Sequence, residues 1–368
     1  MGNFNEKFAE AAALFNNVTV IHVAADSDMS TETEYTQAQI NGVNTQITYF
    51  RKKQKEHEFD KVIKTFRFYK YYSRAFKLYK KQNGKPDIVH LNILFPVGII
   101  ALIFKKIYGL PYVISENWTG YLPSNHVQQG FFVKWISRMI ARNAAALLPV
   151  SHDLEKAMIN HGFRNTYLIV PNVTDTQYFN VPQQAKSIEK KIMLHVSSLK
   201  EEHKNITGIL NVVKQLSTLR QDFVLHIVGD GDATPHKKYA TELNLINEFV
   251  FFYDAMTPPQ IADKMKHSDF FVLFSNYENL PCVIVEALAA GLPVVSSTAG
   301  GVPEHITEDK GTLVAPKDEK ELYDACVKML DNCHAYDKNS LHKYAVDNFS
   351  YESVGKQLTE IYKKCCKL

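Results

Sequence analysis

No stretch of this 368-residue chain stays apolar long enough to cross a bilayer. The longest apolar run, "ILFPVGIIALIF" (residues 93–104), has 12 residues, whereas a spanning helix needs about 20. It reads instead as a buried helix. The opening residues are polar and carry no apolar core, so no secretory signal is expected there. Cysteine is sparse: Cys282, Cys326, Cys333, Cys365 and Cys366 are odd in number and lack paired-ligand spacing. That pattern argues against a disulfide framework and against a zinc site, and fits a reducing cytoplasm. Net charge is also small, +3, but it is uneven. Residues 51–85 hold 13 Lys or Arg against 3 Asp or Glu, so the basicity is local. No internal repeat or low-complexity tract is present.

What the chain has in quantity is short β-branched runs alternating with helical patterns. Runs with strand character occupy residues 17–25, 87–92, 111–115, 145–151 and 166–172, then 191–198, 223–231, 249–253, 270–275, 293–297 and 311–316. They are apolar rather than alternating, as strands covered on both faces should be. Helical segments between them give the βαβ signature of parallel sheets. A polar, unpatterned seam at residues 174–191 divides the chain. The expectation is an α/β protein of two Rossmann-like, doubly wound parallel-sheet domains facing each other across a cleft. The first covers residues 1–174, joined by a C-terminal helix at 351–368 that crosses back to it, and the second covers residues 190–350. Ligands of such sheets bind outside the carboxyl ends of the strands.

Within the apolar stretch "SNYENLPCVIVEALAAGLPVVSS" (residues 275–297) sit two carboxylates, Glu278 and Glu286. Burying a charge is costly unless something pairs with it. Pro281 suits a helix start, and Gly291 with Pro293 suits its end. Glu278 then lies in a strand-to-helix loop and Glu286 about 7–8 Å further along the helix. The free N–H groups of the first turn between them can hold a phosphate. Carboxylates on either side can accept hydrogen bonds from sugar and ribose hydroxyls. The arrangement fits a nucleotide sugar.

The same stretch, followed by "STAGGVPEHI", resembles the donor-site signature of the retaining family 4 glycosyltransferases, which have the GT-B fold. Further marks in the family's order are "PDIVHLN", "LLPVSHDLEKAM", "IVPNVTD", "HVSSLKEEHKN", "LHIVGDGD" and "GTLVAPKDEKEL". The resemblance implies that Glu278 contacts the transferred sugar, with the backbone of Asn279 and Leu280 near sugar or phosphate. It implies that Glu286 holds the ribose and that Lys204 neutralises the diphosphate leaving group without a metal. Ala255 and Met256 would border the base, and Gly2 would be the last glycine of the family's first loop. The donor would be a UDP or GDP sugar, with no further cofactor. The acceptor would be a glycan or lipid-linked sugar of a cell-surface polysaccharide.

Three departures stand out. Ser198 occupies a position where the family usually has Arg, leaving one diphosphate charge to Lys200 or His203. Asn117, in "SENWTGY", stands where the family has a His; it can hydrogen-bond a hydroxyl but cannot act as a base, a part His90 could take. The family's opening strand and glycine loop are not visible ahead of "MGNFNEKFAEAAALF", so the first domain is expected to lack its first strand.

Residues 59–81 place aromatic or apolar side chains at 59, 62, 66, 69, 72, 76 and 79, one helical stripe flanked by lysine and arginine. The stripe fits packing on the first sheet, or peripheral contact with the anionic inner face of a membrane. No nucleic-acid motif accompanies it. Two rivals to the transferase are a non-catalytic nucleotide-sugar binder or partner subunit, and a nucleotide-sugar 2-epimerase of similar architecture.

Overall fold

The computed structural model describes residues 4–53, 57–125, 127, 130–182 and 190–366. In the first half α1 (Phe4–Ala13) precedes β1 (Thr19–Asp26), β2 (Thr33–Ile40), β3 (Val43–Arg51) and the long α2 (Glu58–Asn83). There follow β4 (Val89–Leu91), α3 (Gly98–Tyr108), β5 (Tyr112–Glu116), α4 (Phe131–Asn143), β6 (Ala146–Pro149) and α5 (His152–Asn160). The second half holds β7 (Lys191–Ser197), α6 (Glu201–Lys204), α7 (Ile206–Ser217), β8 (Phe223–Gly229), α8 (Thr234–Glu242), β9 (Val250–Tyr253) and α9 (Pro258–Lys266). It continues with β10 (Phe270–Leu273), α10 (Cys282–Ala289), β11 (Val294–Ser297), β12 (Gly311–Val314) and α11 (Glu319–Asn332). Last come α12 (Lys338–Phe349) and α13 (Tyr351–Cys366).

The second half is one parallel sheet in the order β12-β11-β10-β7-β8-β9. Its order reverses at β7, between β10 and β8, so the chain ends leaving β7 and β10 open onto one crevice. The β10 strand is buried along its whole length, which is why its sequence shows no alternation.

The first half holds two separate three-stranded sheets, β1-β3-β2 and β4-β5-β6, rather than one continuous sheet. The hairpin of β2 and β3 lies outside the strand runs read from sequence. Its turn is Asn41-Gly42, both at positive φ (47° and 80°), a geometry matched to the twist of a hairpin. The β2 strand is exposed at every residue, so it carries no apolar signal. Conversely, residues 166–172 do not form the expected strand. Leu168 and Val170 donate to the Leu147 and Pro149 carbonyls at 3.0 and 3.1 Å, but only one isolated bridge, Leu147 to Tyr167, results. Pro149 and Pro171 each lack the donor a ladder needs.

The α13 helix lies against α1, burying Val354, Leu358 and Ile361 with Phe8, Ala11 and Ala12. The approach is close: a Cβ on Gly355 would stand 2.2 Å from the Ala11 carbonyl oxygen. The apolar run at 93–104 becomes the start of α3, and among the described residues no helix is long and apolar enough to cross a membrane. The stripe of α2 divides. Phe76 is buried and stacks on Phe104 of α3 at 4.0 Å, whereas Val62 and Phe66 are exposed.

Candidate active site

The β10 strand delivers residues 274–281 to the crevice, and contacts from three sides fix this loop. Asn276 donates through its backbone N–H to the His203 carbonyl (2.8 Å) and through its side chain to the Glu202 carbonyl (2.9 Å). That locks the loop to α6. Asn205, at φ 48°, turns the chain sharply from α6 into α7 and caps α7 by accepting from the Gly208 N–H. Lys204, the last residue of α6, is thereby aimed at the loop. On the far side the Gly301 N–H donates to the Asn279 carbonyl at 2.6 Å. Gly300 sits at φ 58°, where a Cβ would lie 1.8 Å from the Glu278 carbonyl oxygen, so only glycine fits.

The Glu278 carboxylate is buried, and its Oε1 receives both the Lys204 ammonium and the Ser275 hydroxyl, the latter at 2.7 Å. The helix that follows starts one residue later than the sequence reading, with Pro281 as its N-cap and Cys282 as its first residue. Burial and the Glu286 carboxylate push the Cys282 thiol up to about 12, so it is no nucleophile at neutral pH. Glu286 is itself buried on the apolar α10, with Lys7 of α1 at 3.4 Å. Burial raises its pKa above the ordinary carboxylate range, and the Lys7 charge opposes that shift.

The first half closes the crevice. Glu116 at the end of β5 accepts from the backbone N–H groups of Leu94, Asn117 and Trp118 and so shapes the loop carrying Asn117. The Asn279 side chain donates to the Asn117 carbonyl, and the Asn172 side chain donates to the Leu280 carbonyl at 2.8 Å. Asn117 Nδ2, Asn279 Oδ1 and Asn172 Oδ1 are buried with no hydrogen-bond partner among the described residues. Buried polar groups without partners are uncommon, and these three sit on the loops through which the two halves are hydrogen-bonded to each other. Nearby, Glu304 reaches across from the "GGVPE" segment and accepts from the His152 and Asp153 N–H groups, both at 2.9 Å. The carboxylate thus caps α5 from the opposite half.

The remaining sequence candidates distribute as follows. Ser198 lies in the turn leaving β7, half-buried, with the backbone of Gly231 against its carbonyl. Ala255 and Met256 lie at the exit of β9. Gly2 lies outside the described residues. Lys200 is exposed. The His203 ring lies against Tyr277, tilted by 52° with centroids 4.5 Å apart, and burial with the Lys204 and Lys200 charges lowers its pKa, so it supplies no cation at neutral pH. His90 cannot stand in as a base. Its ring nitrogens are taken by Tyr362 (2.6 Å) and Ser115 (2.8 Å), and burial holds its pKa down to about 4. Lys7, Asn172, Ser275, Glu116 and Glu304 were not singled out from sequence. For Asn172 and Glu304 the signal was there, inside "IVPNVTD" and "GGVPE". For Lys7 there was none.

Two family models match end to end: Glycosyltransferase Family 4 over residues 10–178 and Glycosyl transferases group 1 over residues 178–345. A relative in Bacillus subtilis, TuaC, a glycosyltransferase ascribed to teichuronic acid biosynthesis, is 25% identical over 295 residues, 77% of this chain and 70% of its own. The Escherichia coli UDP-Gal:α-D-GlcNAc-diphosphoundecaprenol α-1,3-galactosyltransferase is 26% identical over 277 residues, 70% of this chain and 69% of its own. Among solved structures, Anabaena HepE in complex with UDP superposes with a TM-score of 0.76 at 17% identity, covering 99% of this chain and 96% of that one. The chain belongs to the group 1, family 4 glycosyltransferases. Its α/β architecture is the GT-B fold.

Proposed function

We propose that this chain is a retaining, metal-independent glycosyltransferase that moves a hexose-type sugar from a UDP or GDP donor to a glycan or lipid-linked acceptor of a cell-surface polysaccharide. The observation that carries this reading is the pairing of Lys204 with Glu278 at the start of α10, with the buried Glu286 further along the same helix. The second half, residues 190–350, would take the donor and the first half the acceptor. Glu286 would accept from the ribose hydroxyls and Glu278 from the sugar. The first N–H groups of α10, with Asn279 and Leu280 beside them, would face the diphosphate. Ser198 would border the diphosphate, and Ala255 and Met256 the base.

As the glycosidic bond breaks, negative charge grows on the departing diphosphate, and Lys204 supplies a fixed positive group for it. The acceptor hydroxyl would attack from the face the diphosphate leaves. The leaving oxygen can then take the acceptor proton, and Asn117 need only orient the hydroxyl. No cofactor beyond the donor is required. UDP bound to a neighbour of this fold and the lipid-diphosphate acceptor named for the Escherichia coli relative support the donor and acceptor classes. The exposed start of α2 supports peripheral contact at the cytoplasmic face of the membrane through residues 59–81.

Thermal stabilisation by UDP, GDP, ADP and CMP, measured beside Glu286→Ala, tests the donor site. A ligand at about 100 times its Kd adds roughly 2.7 kcal/mol. Stabilisation by one base that the variant loses supports the site; no stabilisation by any nucleotide rejects it. Ser198 in the place of Arg and the occupied His90 favour one alternative, a nucleotide-sugar binder without transfer. That alternative predicts binding with no turnover on any acceptor.

A further inference from the structure

We infer that the first half carries a membrane-docking face centred on α4, whose partner is an anionic lipid surface. The face joins the start of α4 to the projecting start of α2. Phe131, Phe132 and Trp135 open α4 with 86%, 66% and 49% of their surface exposed. The opposite side of the same helix, through Ser137, Ile140 and Ala141, is buried. Arg138 and Arg142 continue the outer stripe at helical spacing, and α4 contains no acidic residue. Phe66 of α2 adds a side chain 72% exposed. Scattered apolar residues on a surface are ordinary, but large ones on the projecting starts of two helices that flank α3 mark an interaction site.

The placement of these residues gives the face a direction. Helices that follow parallel strands begin at the carboxyl edge of the sheet, the edge on which the crevice opens. Gly98, the first residue of α3, meets Ile140 in the last part of α4, so the first two turns of α4 extend past α3. Tyr69 of α2 donates to the Pro96 carbonyl at 3.3 Å, so residues 62–66 of α2 also extend past it. Both projecting ends therefore lie on the side of Asn117.

Charge selects the partner. From Glu58, the first residue of α2, to His152 the sequence has fourteen lysines and arginines against four acids, Glu58, Asp60, Asp87 and Glu116, and Glu116 is buried. Two copies of such a face would repel each other, whereas anionic headgroups attract it and aromatic side chains seat at the headgroup boundary. A protein seated this way would meet lipid-linked acceptors at the crevice mouth. That use of the face rests on the acceptor class proposed above.

The full chain should sediment with phosphatidylcholine vesicles containing about one quarter phosphatidylglycerol, and far less with phosphatidylcholine alone. Brominated lipid should quench one of the two tryptophans, a signal that Trp135→Phe removes. The combined Phe131→Ser, Phe132→Ser and Trp135→Ser variant should bind about tenfold or more weakly, with unchanged melting temperature and unchanged nucleotide-induced stabilisation. Lys134→Glu with Arg142→Glu should weaken binding to a similar degree without touching the aromatic side chains. Failure of the wild type to bind anionic vesicles overturns the inference, as does equal binding by both variants. So does a wild-type dimer that the aromatic variant converts to a monomer, since the face would then cover a second copy. Nucleotide binding is read separately, so loss of the donor site and loss of the docking face are distinguishable.

Discussion

Lys204→Met deletes the ammonium facing Glu278 while keeping most of the aliphatic stem. The two side chains are only 15% and 10% exposed. Removing one partner of a buried pair costs about 3–5 kcal/mol, because the other charge is left uncompensated. Here the Ser275 hydroxyl still reaches Glu278 Oε1, at 2.7 Å, which lowers the expected loss to roughly 2–3 kcal/mol. Glu278→Gln should cost less, roughly 1–2 kcal/mol, because a lysine can swing its ammonium toward solvent. The double variant leaves no stranded charge and should be at least as stable as Lys204→Met alone. Urea unfolding of the four proteins measures the coupling, expected at about 1.5–3 kcal/mol. All three variants should lose transfer, with kcat falling about a hundredfold or more for Lys204→Met. Additivity within about 0.5 kcal/mol would refute the reasoning, since the two groups would then not be sharing a buried site.

Three more outcomes follow from the same geometry. Glu286 holds its proton to higher pH than an ordinary carboxylate, so nucleotide affinity should fall as pH is lowered through that raised value. Thermal shift by UDP between about pH 5 and 8 should show it, Glu286→Gln should flatten it, and Lys7→Met should move its midpoint upward. His195 is fully buried between the Val272 carbonyl and Ser197, and burial lowers its pKa to about 4. The unfolded chain takes up that proton near pH 6.5, so the stability is present above that value and lost as pH falls toward about 4, roughly 2 kcal/mol by pH 5. Urea unfolding of the wild type and His195→Gln at both ends of that window should show a shallower pH dependence in the variant. Gly355→Ala would set a methyl 2.2 Å from the Ala11 carbonyl oxygen, so α13 must move off α1 at a cost of about 1–3 kcal/mol. An unchanged melting temperature would show that this contact does not hold the two helices.

The parts legible in the sequence are those whose signal is local. The β10 strand is sealed on both faces and reads as an unbroken apolar run, and β7 is buried from Ile192 onward with only His195 and Ser197 polar among those residues. The start and stop of α10 are written in Pro281 and Gly291, the latter at φ 73°. The β2–β3 hairpin was missed because its outer strand touches no core, so only the Asn41-Gly42 turn announces it. The strand misread at 166–172 shows the reverse error, an apolar run whose prolines prevent a ladder.

The crevice is different in kind. Asn117 meets Asn279 over 162 positions, His152 meets Glu304 over 152, and Lys7 meets Glu286 over 279. No periodicity within one element can encode such pairs, because each depends on how α1, α5 and the β5 exit are set against the second half. Electrostatics still narrows the search. A carboxylate on a helix as apolar as α10 demands a cation or a ligand, so Glu286 states the need for a partner without saying which of 42 lysines and arginines fills it. Closure of α13 onto α1 chooses Lys7, and in the proposed donor site the ribose hydroxyls would compete with that ammonium for one carboxylate.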